Sequence, residues 1–245
     1  MRALIFDCDG VLGETESRGH RIAFNRMFAE CGIPWTWSVE DYRELLRIGG
    51  GKERLLALLA EPAFQAVFPP PSAREAREEL VRGWHRRKSE IYRRIVEQGE
   101  IPARPGVRRL AEEALALGWR LAMASTSAES SVRAMMHHVF GEALAGRFDV
   151  VLAGDVVSRK KPDPEVYQLC AQRLGVAPRN CVVVEDSAIG LAAALAAGMP
   201  CLVTVSEMTA GENFGGARRV VESLGEADDP RAVRVAELIE WGDTK

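Results

Sequence analysis

Ala3-Leu4-Ile5-Phe6-Asp7-Cys8-Asp9-Gly10 lies near the start of a 245-residue chain. Four apolar residues that end abruptly in aspartates at i and i+2, then a glycine, match a buried parallel strand delivering polar groups at its carboxyl end. Carboxylates there do not serve packing, because burying them unpaired is costly. They need a cation or a reaction, unless the loop simply faces solvent.

Four more apolar runs fit the same sheet: Trp119 to Ala124, Asp149 to Ala153, Cys181 to Val184 and Cys201 to Val205. Between and after them lie helical patterns at Gly106 to Leu117, Pro164 to Leu174 and Ser187 to Ala197, and Asp229-Pro230 is expected to open a final helix. Strands alternating with helices predict an α/β fold, a Rossmann-like parallel sheet. The first and second strands, however, are separated by about a hundred residues that read as helices near Ser17 to Glu30, Val39 to Leu46, Glu53 to Leu59 and Ala73 to Glu97. A crossover of that length implies an inserted helical domain. The expected division is a discontinuous core of 1–13 and 101–245 and a helical cap of 14–100, hinged at Gly13 to Thr15 and Gly99 to Pro105.

Composition narrows the class. A net charge of -3 argues against a surface built to neutralise nucleic-acid phosphates. The most apolar stretch, Leu191 to Val203, is too short to span a bilayer and is broken by Gly198 and Pro200, so no membrane partner is expected. Cys8, Cys31, Cys170, Cys181 and Cys201 are odd in number and widely spaced, which predicts small core residues, no zinc site and a reducing cytoplasm. A monomer is expected. Trp35, Trp37 and Trp84 are read as packing the cap, and the adjacent His137 and His138 as surface residues.

The other predicted strands also end in groups suited to phosphate: Ser125-Thr126-Ser127 before a helix, Lys160-Lys161 after the third strand region, and Glu185-Asp186 opening onto another helix. In open α/β sheets ligands bind beyond the carboxyl ends of the strands, so these clusters can converge on Asp7 and Asp9. The ordered set Asp7-Cys8-Asp9-Gly10, Ser125, Lys161-Pro162 and Glu185-Asp186 resembles the four motifs of the haloacid dehalogenase superfamily. Within it, Gly13-Glu14-Thr15-Glu16, His20 to Asn25, Tyr42 to Leu46, Gly50 to Arg54 and His85-Arg86-Arg87-Lys88 with Tyr92 are similar to CbbY-like sugar-phosphate phosphatases and, more distantly, to β-phosphoglucomutase.

That resemblance implies a phosphatase with Asp7 as nucleophile, Asp9 as acid and base, and Lys161 and Ser125 holding the phosphate with the Thr126 amide. It implies Mg²⁺, a hard ion, on Asp7, the Asp9 carbonyl and Asp186, with Glu185 direct or through water. The carboxyl of Asp9 is expected to be raised by neighbouring carboxylates and burial. Its presence disfavours dehalogenation, since a halide leaves without a proton. In the cap, Glu14, His20, Gly50, Gly51, Lys52 and Lys88 are the candidate substrate contacts. The alternatives are a water-exposed hinge acid for Glu14, a structural His20, and a merely flexible connection at Gly49 to Gly51. Lys52, Lys88 and Arg43 supply more cations than one phosphate requires, which suggests a bisphosphate. The resemblance points to a five-carbon ketose, xylulose 1,5-bisphosphate. Competing readings are a phosphomutase, a phosphoglycolate-type monophosphatase and a metabolite-binding regulatory module.

Overall fold

The computed structural model describes residues 1–242. Its centre is a six-stranded sheet of β1 (Ala3–Phe6), β2 (Arg120–Ala124), β3 (Val150–Leu152), β4 (Cys181–Glu185), β5 (Cys201–Thr204) and β6 (Arg219–Val221). Every pair is parallel, in the order β3-β2-β1-β4-β5-β6, which puts β1 in the interior of the sheet. The alternation of a strand's side chains divides the core in two. Leu4 and Phe6 face one cluster with Met123 and Val184, while Ala3 and Ile5 face another with Val183 and Val203. On the first face pack α6 (Val107–Ala116) and α7 (Glu129–Ala145) through Leu110 and Met135; on the second, α8 (Glu165–Leu174) and α9 (Ala188–Ala196) through Tyr167 and Leu191. Both faces are covered, so the strands can be continuously apolar.

Between β1 and α6 lie five helices: α1 (Arg21–Glu30), preceded by a wide π-type turn at Glu16–His20, then α2 (Val39–Leu45), α3 (Gly51–Ala60), α4 (Pro62–Val67) and α5 (Arg74–Glu97). α2 starts sharply because Ser38 and Asp41 form a reciprocal capping box. α4 was not expected; Pro62 in its first turn starts a helix too short to show periodicity. The tryptophans do pack this segment. Trp37 meets Phe24 and Phe28 edge-on, and Trp84 meets Phe64 and Phe68. The two chain crossings run side by side, Gly13 bridging to Ala103 and the Arg104 amide donating to Leu12 O at 2.9 Å.

Two sequence expectations need correction at the carboxyl end. β6 was missed because it is three residues long, at the sheet edge, and starts with an arginine. Asp229-Pro230 opens a turn rather than a helix, with Asp229 Oδ1 accepting from the Arg231 amide, and the helix α10 covers only Val235–Leu238. The chain is held extended before it by a bond from the Val233 amide to Leu224 O and by Arg109, whose guanidinium takes the carbonyls of Leu224, Gly225 and Val233. Four cysteines are buried, but Cys31 is exposed just past α1, and all five are free thiols.

Candidate active site

β1 delivers Asp7 to the carboxyl edge of the sheet, where its amide donates to Val184 O at 2.9 Å. Gly10 then turns the chain with φ +72°; a Cβ here would sit 1.9 Å from Asp186 Oδ2. Gly190 in α9 clears space in the same way, since its Cβ would fall 1.9 Å from Glu185 Oε1. The ends of β1 and β4 thereby bring Asp7, Glu185 and Asp186 together, all buried, each with a carboxylate oxygen within 4.8 Å of the others'.

Lys161 answers part of this charge. Its Nζ lies 2.6 Å from both Asp7 Oδ1 and Glu185 Oε1 and 3.1 Å from Ala124 O. Glu185 also accepts from Tyr167 Oη at 2.6 Å and from the Asp186 amide and Ser187 Oγ at 3.1 Å, so both of its oxygens are engaged. Burial would raise its carboxyl, but Lys161 and these donors outweigh burial and hold it low. Asp7 and Asp186 are not so compensated: burial first, then neighbouring carboxylates, pushes Asp7 up to about 8 and Asp186 well above its usual range. Three buried acids against one lysine leave a deficit of positive charge. An all-oxygen set of this kind fits a hard divalent cation such as Mg²⁺ and offers nothing to a thiophilic metal.

Asp9 points away from that cluster. Its carboxylate accepts from Thr15 Oγ1 at 2.7 Å, lies 2.8 Å from His20 Nε2, and takes a very short bond from Ser127 Oγ. The expectation of a raised Asp9 is therefore corrected. Burial would raise it, but His20 and the two hydroxyls together hold its carboxyl far below the usual range. His20 is itself buried and stacks on Tyr92 with ring centroids 4.0 Å apart. Its Nδ1 lies 2.6 Å from Lys88 Nζ, and burial lowers Lys88 to about 8. An ammonium can only donate, so with Lys88 charged Nδ1 accepts and Nε2 gives its hydrogen to Asp9.

Above these groups opens a cavity of about 300 Å³, walled by the strand ends below and by the π-type turn at Glu16–His20, α3 with the loop before it, and α5 above. Of the sequence-predicted residues, Asp7, Asp9, His20, Gly50, Gly51, Lys88, Ser125, Thr126, Lys161, Glu185 and Asp186 line it. Both ring nitrogens of His20 are taken by protein groups, so its polar contacts run to Asp9 and Lys88. Gly50 is required by more than flexibility: φ is +103° and a Cβ would strike Glu53 Oε2 and Lys160 Nζ. Glu14 stands outside the cavity, half-buried, accepting from the Glu207 amide at 3.0 Å and lying 3.6 Å from Arg104 Nη1. Arg43 is exposed and also outside it. Lys52 pairs with Asp155 in an adjoining hollow.

The sequence reading missed several residues here. Glu16, Arg47, Arg54 and His85 line the cavity from the helical segment, and Thr209, Glu212 and Asn213 from the stretch after β5. Arg54 was visible in the Gly50 to Arg54 motif, yet its guanidinium is engaged by Tyr42 Oη at 3.0 Å and the carbonyls of Leu45 and Ile48. Arg104 gave no signal at all. It is buried at the chain crossing and donates to Gly10 O at 2.5 Å, Thr204 O at 3.2 Å, Val205 O at 2.7 Å and Glu222 O at 2.6 Å.

The chain belongs to the haloacid dehalogenase-like hydrolases, whose family model matches residues 1–198. It is 47% identical to a CBBY-like protein of Arabidopsis thaliana over 94% of this chain and 71% of that one, and 41% identical to protein CbbY of Cereibacter sphaeroides over 92% and 94%. A crystal structure of a CbbY variant from Rhodobacter sphaeroides in complex with xylulose-(1,5)bisphosphate superposes with a TM-score of 0.83 at 41% identity, covering 92% of this chain and 96% of that one. Among the described residues no helix is long and apolar enough to cross a membrane.

Proposed function

We propose that this protein is a Mg²⁺-dependent phosphatase that hydrolyses a small sugar phosphate through a phospho-aspartate on Asp7, with xylulose 1,5-bisphosphate as substrate. The observation that carries this reading is the buried set of Asp7, Glu185 and Asp186 around Lys161 at the floor of a cavity sized for a sugar phosphate. The likeness to CbbY, crystallised with that bisphosphate, supports the choice of sugar. In this reading residues 14–100 form a cap over a core of 1–13 and 101–245.

Asp7, Asp186 and the Asp9 carbonyl would hold Mg²⁺, with Glu185, already engaged by Lys161 and Tyr167, contributing through water. Bound there, the ion would supply positive charge against the dianionic phosphoryl group. Lys161, Ser125 and the Thr126 amide hold phosphoryl oxygens so that the free carboxylate oxygen of Asp7 meets phosphorus in line with the departing sugar oxygen. Asp9, pinned as an anion by His20, Thr15 and Ser127, rests in its basic form. That form suits the second half of the reaction, in which it takes a proton from the water attacking the phospho-aspartate. To protonate the leaving alkoxide in the first half, Asp9 must first gain a proton. His20 belongs to the helical segment, so movement of that segment changes the donor set that decides when this happens.

The test is steady-state turnover on a panel of sugar mono- and bisphosphates with Mg²⁺. Xylulose 1,5-bisphosphate should give the highest kcat/KM, and Asp7→Asn should remove turnover while leaving the thermal unfolding transition cooperative. Substantial phosphate release by Asp7→Asn would overturn the nucleophile, and equal efficiency on mono- and bisphosphates would overturn the substrate.

A further inference from the structure

Next to the main cavity, and sharing Gly51, His85, Thr126 and Ala128 with it, lies a second hollow of about 400 Å³. Two lysines reach it from opposite sides of the seam between the helical segment and the sheet: Lys52 from the first turn of α3, and Lys160 from the loop after β3. Asp155 stands between them. One of its oxygens pairs closely with Lys52 Nζ and the other lies 3.3 Å from Lys160 Nζ. Lys160 also donates to Glu53 Oε1 at 2.6 Å, while Glu53 Oε2 is buried with no partner. The two ammonium groups are therefore already matched by two carboxylates, of which Asp155 lines the hollow and Glu53 does not.

The placement of Asp155 is specific. Gly154 before it adopts φ +73° and its amide donates to Ser127 O at 2.7 Å, tying this turn to the loop that carries Ser125 and Ser127. The hydrogen bond from Lys52 outweighs burial and, with Lys160, keeps the Asp155 carboxyl low, so the group is anionic near neutral pH. Yet its side chain is 57% exposed and that of Lys52 36%, a setting in which an ion pair is weakly held and readily exchanged.

We propose that Asp155 is a specificity-determining residue whose carboxylate keeps, between Lys52 and Lys160, the place that the second phosphate of a doubly phosphorylated substrate takes when it binds. This rests on the bisphosphate reading above and adds to it a group that must be displaced. A sugar's neutral end offers the lysines nothing in exchange and leaves the Lys52–Asp155 bridge intact. A phosphate brings nearly two charges and three acceptor oxygens, enough to serve both lysines, and the exposure of Asp155 leaves it room to turn toward water. The exchange replaces a protein bridge across the seam with one made through the substrate, so the ligand itself then ties α3 to the core loop.

The experiment is equilibrium binding by calorimetry in the Asp7→Asn background, where turnover is absent. It uses Mg²⁺ and fixed ionic strength, with xylulose 1,5-bisphosphate, xylulose 1-phosphate and xylulose 5-phosphate as probes. Removing the resident anion with Asp155→Asn should tighten the bisphosphate roughly threefold or more and leave within about twofold the monophosphate whose distal end is neutral. Adding Lys52→Gln should cancel the gain. A bisphosphate that binds better than the monophosphates, but no tighter after Asp155→Asn, would overturn the displacement and leave the bisphosphate reading standing. Equal binding of all three probes with Asp155 intact would overturn both.

Discussion

Replacing Arg104 by methionine keeps most of the aliphatic stem and removes every donor. The guanidinium serves four carbonyls from three places: Gly10 after β1, Thr204 and Val205 at the end of β5, and Glu222 after β6. Those of Gly10 and Thr204 are buried and cannot be rehydrated in place, while the bonds to Val205 and Glu222 are only partly buried. A hydrogen bond to a charged group contributes about 1.5–3 kcal/mol, and an orphaned buried acceptor costs about 1–3 kcal/mol. Counting the two buried bonds fully and the other two little gives a loss of about 3–5 kcal/mol. At roughly 2–4 °C per kcal/mol for a chain of this size, Tm should fall by about 6–20 °C. Calorimetric or circular-dichroism melts at matched pH and Mg²⁺ would read it, with Arg104→Lys, which keeps the charge but not the fork, falling in between. Because Gly10 lies directly after Asp9, kcat should also drop well below the new Tm. A methionine variant melting within about 2 °C of the wild type would refute the reasoning.

Two further outcomes follow from the charges in the site. In chelator, Asp7 titrates near 8 in the folded chain and near 3.9 unfolded, so between these values the folded state binds more protons and stability should fall as pH rises. Asp186, also raised, acts in the same sense, whereas the lowered Asp9 matters only at the acid end. Saturating Mg²⁺ should flatten the decline, and a Tm in chelator that is level or rising from pH 7 to 8, above the range in which the burial-lowered His85 adds stability with rising pH, would contradict the charge deficit. Thr15→Val removes one donor from the Asp9 carboxylate, so its carboxyl should rise and the limb of kcat/KM that reports the protonated Asp9 serving the leaving oxygen should move up by about one pH unit. An unmoved limb would show that Thr15 does not hold Asp9 as an anion.

The strand ends were legible because a buried parallel strand is an unbroken apolar run, and any charge beyond it stands out. Asp7, Ser125, Lys161 and Glu185 each follow such a run or its loop, and the sheet brings them together. The partners of Asp9 were harder to see. Thr15 lies six residues on, in what reads as a hinge, and its bond depends on how the chain recrosses beside Ala103. A carboxylate's pKa depends on donors gathered from distant segments, and for Asp9 neighbouring acids and burial without those donors suggested the wrong sign. Arg104 shows the limit most clearly, since a single arginine between two short turns carries no pattern until four separate carbonyls surround it. Lys52 and Glu14 were recognised as unusual, but which charge each one faces is decided across the seam, by Asp155 and by Arg104 with the Glu207 amide.

Two of the determinants of this site are absences. A methyl group at position 10 would overlap Asp186 and one at position 190 would overlap Glu185, so the volume the two carboxylates occupy is reserved by hydrogen atoms alone. Neither glycine offers an atom to metal or phosphate, yet alanine at either place would evict an acid while leaving every polar residue of the site spelled correctly. A census of chemical groups would therefore pass a chain whose geometry had already failed. In surveying variants, positions 10 and 190 can be as informative as the aspartates themselves, because they record whether the acids have anywhere to stand.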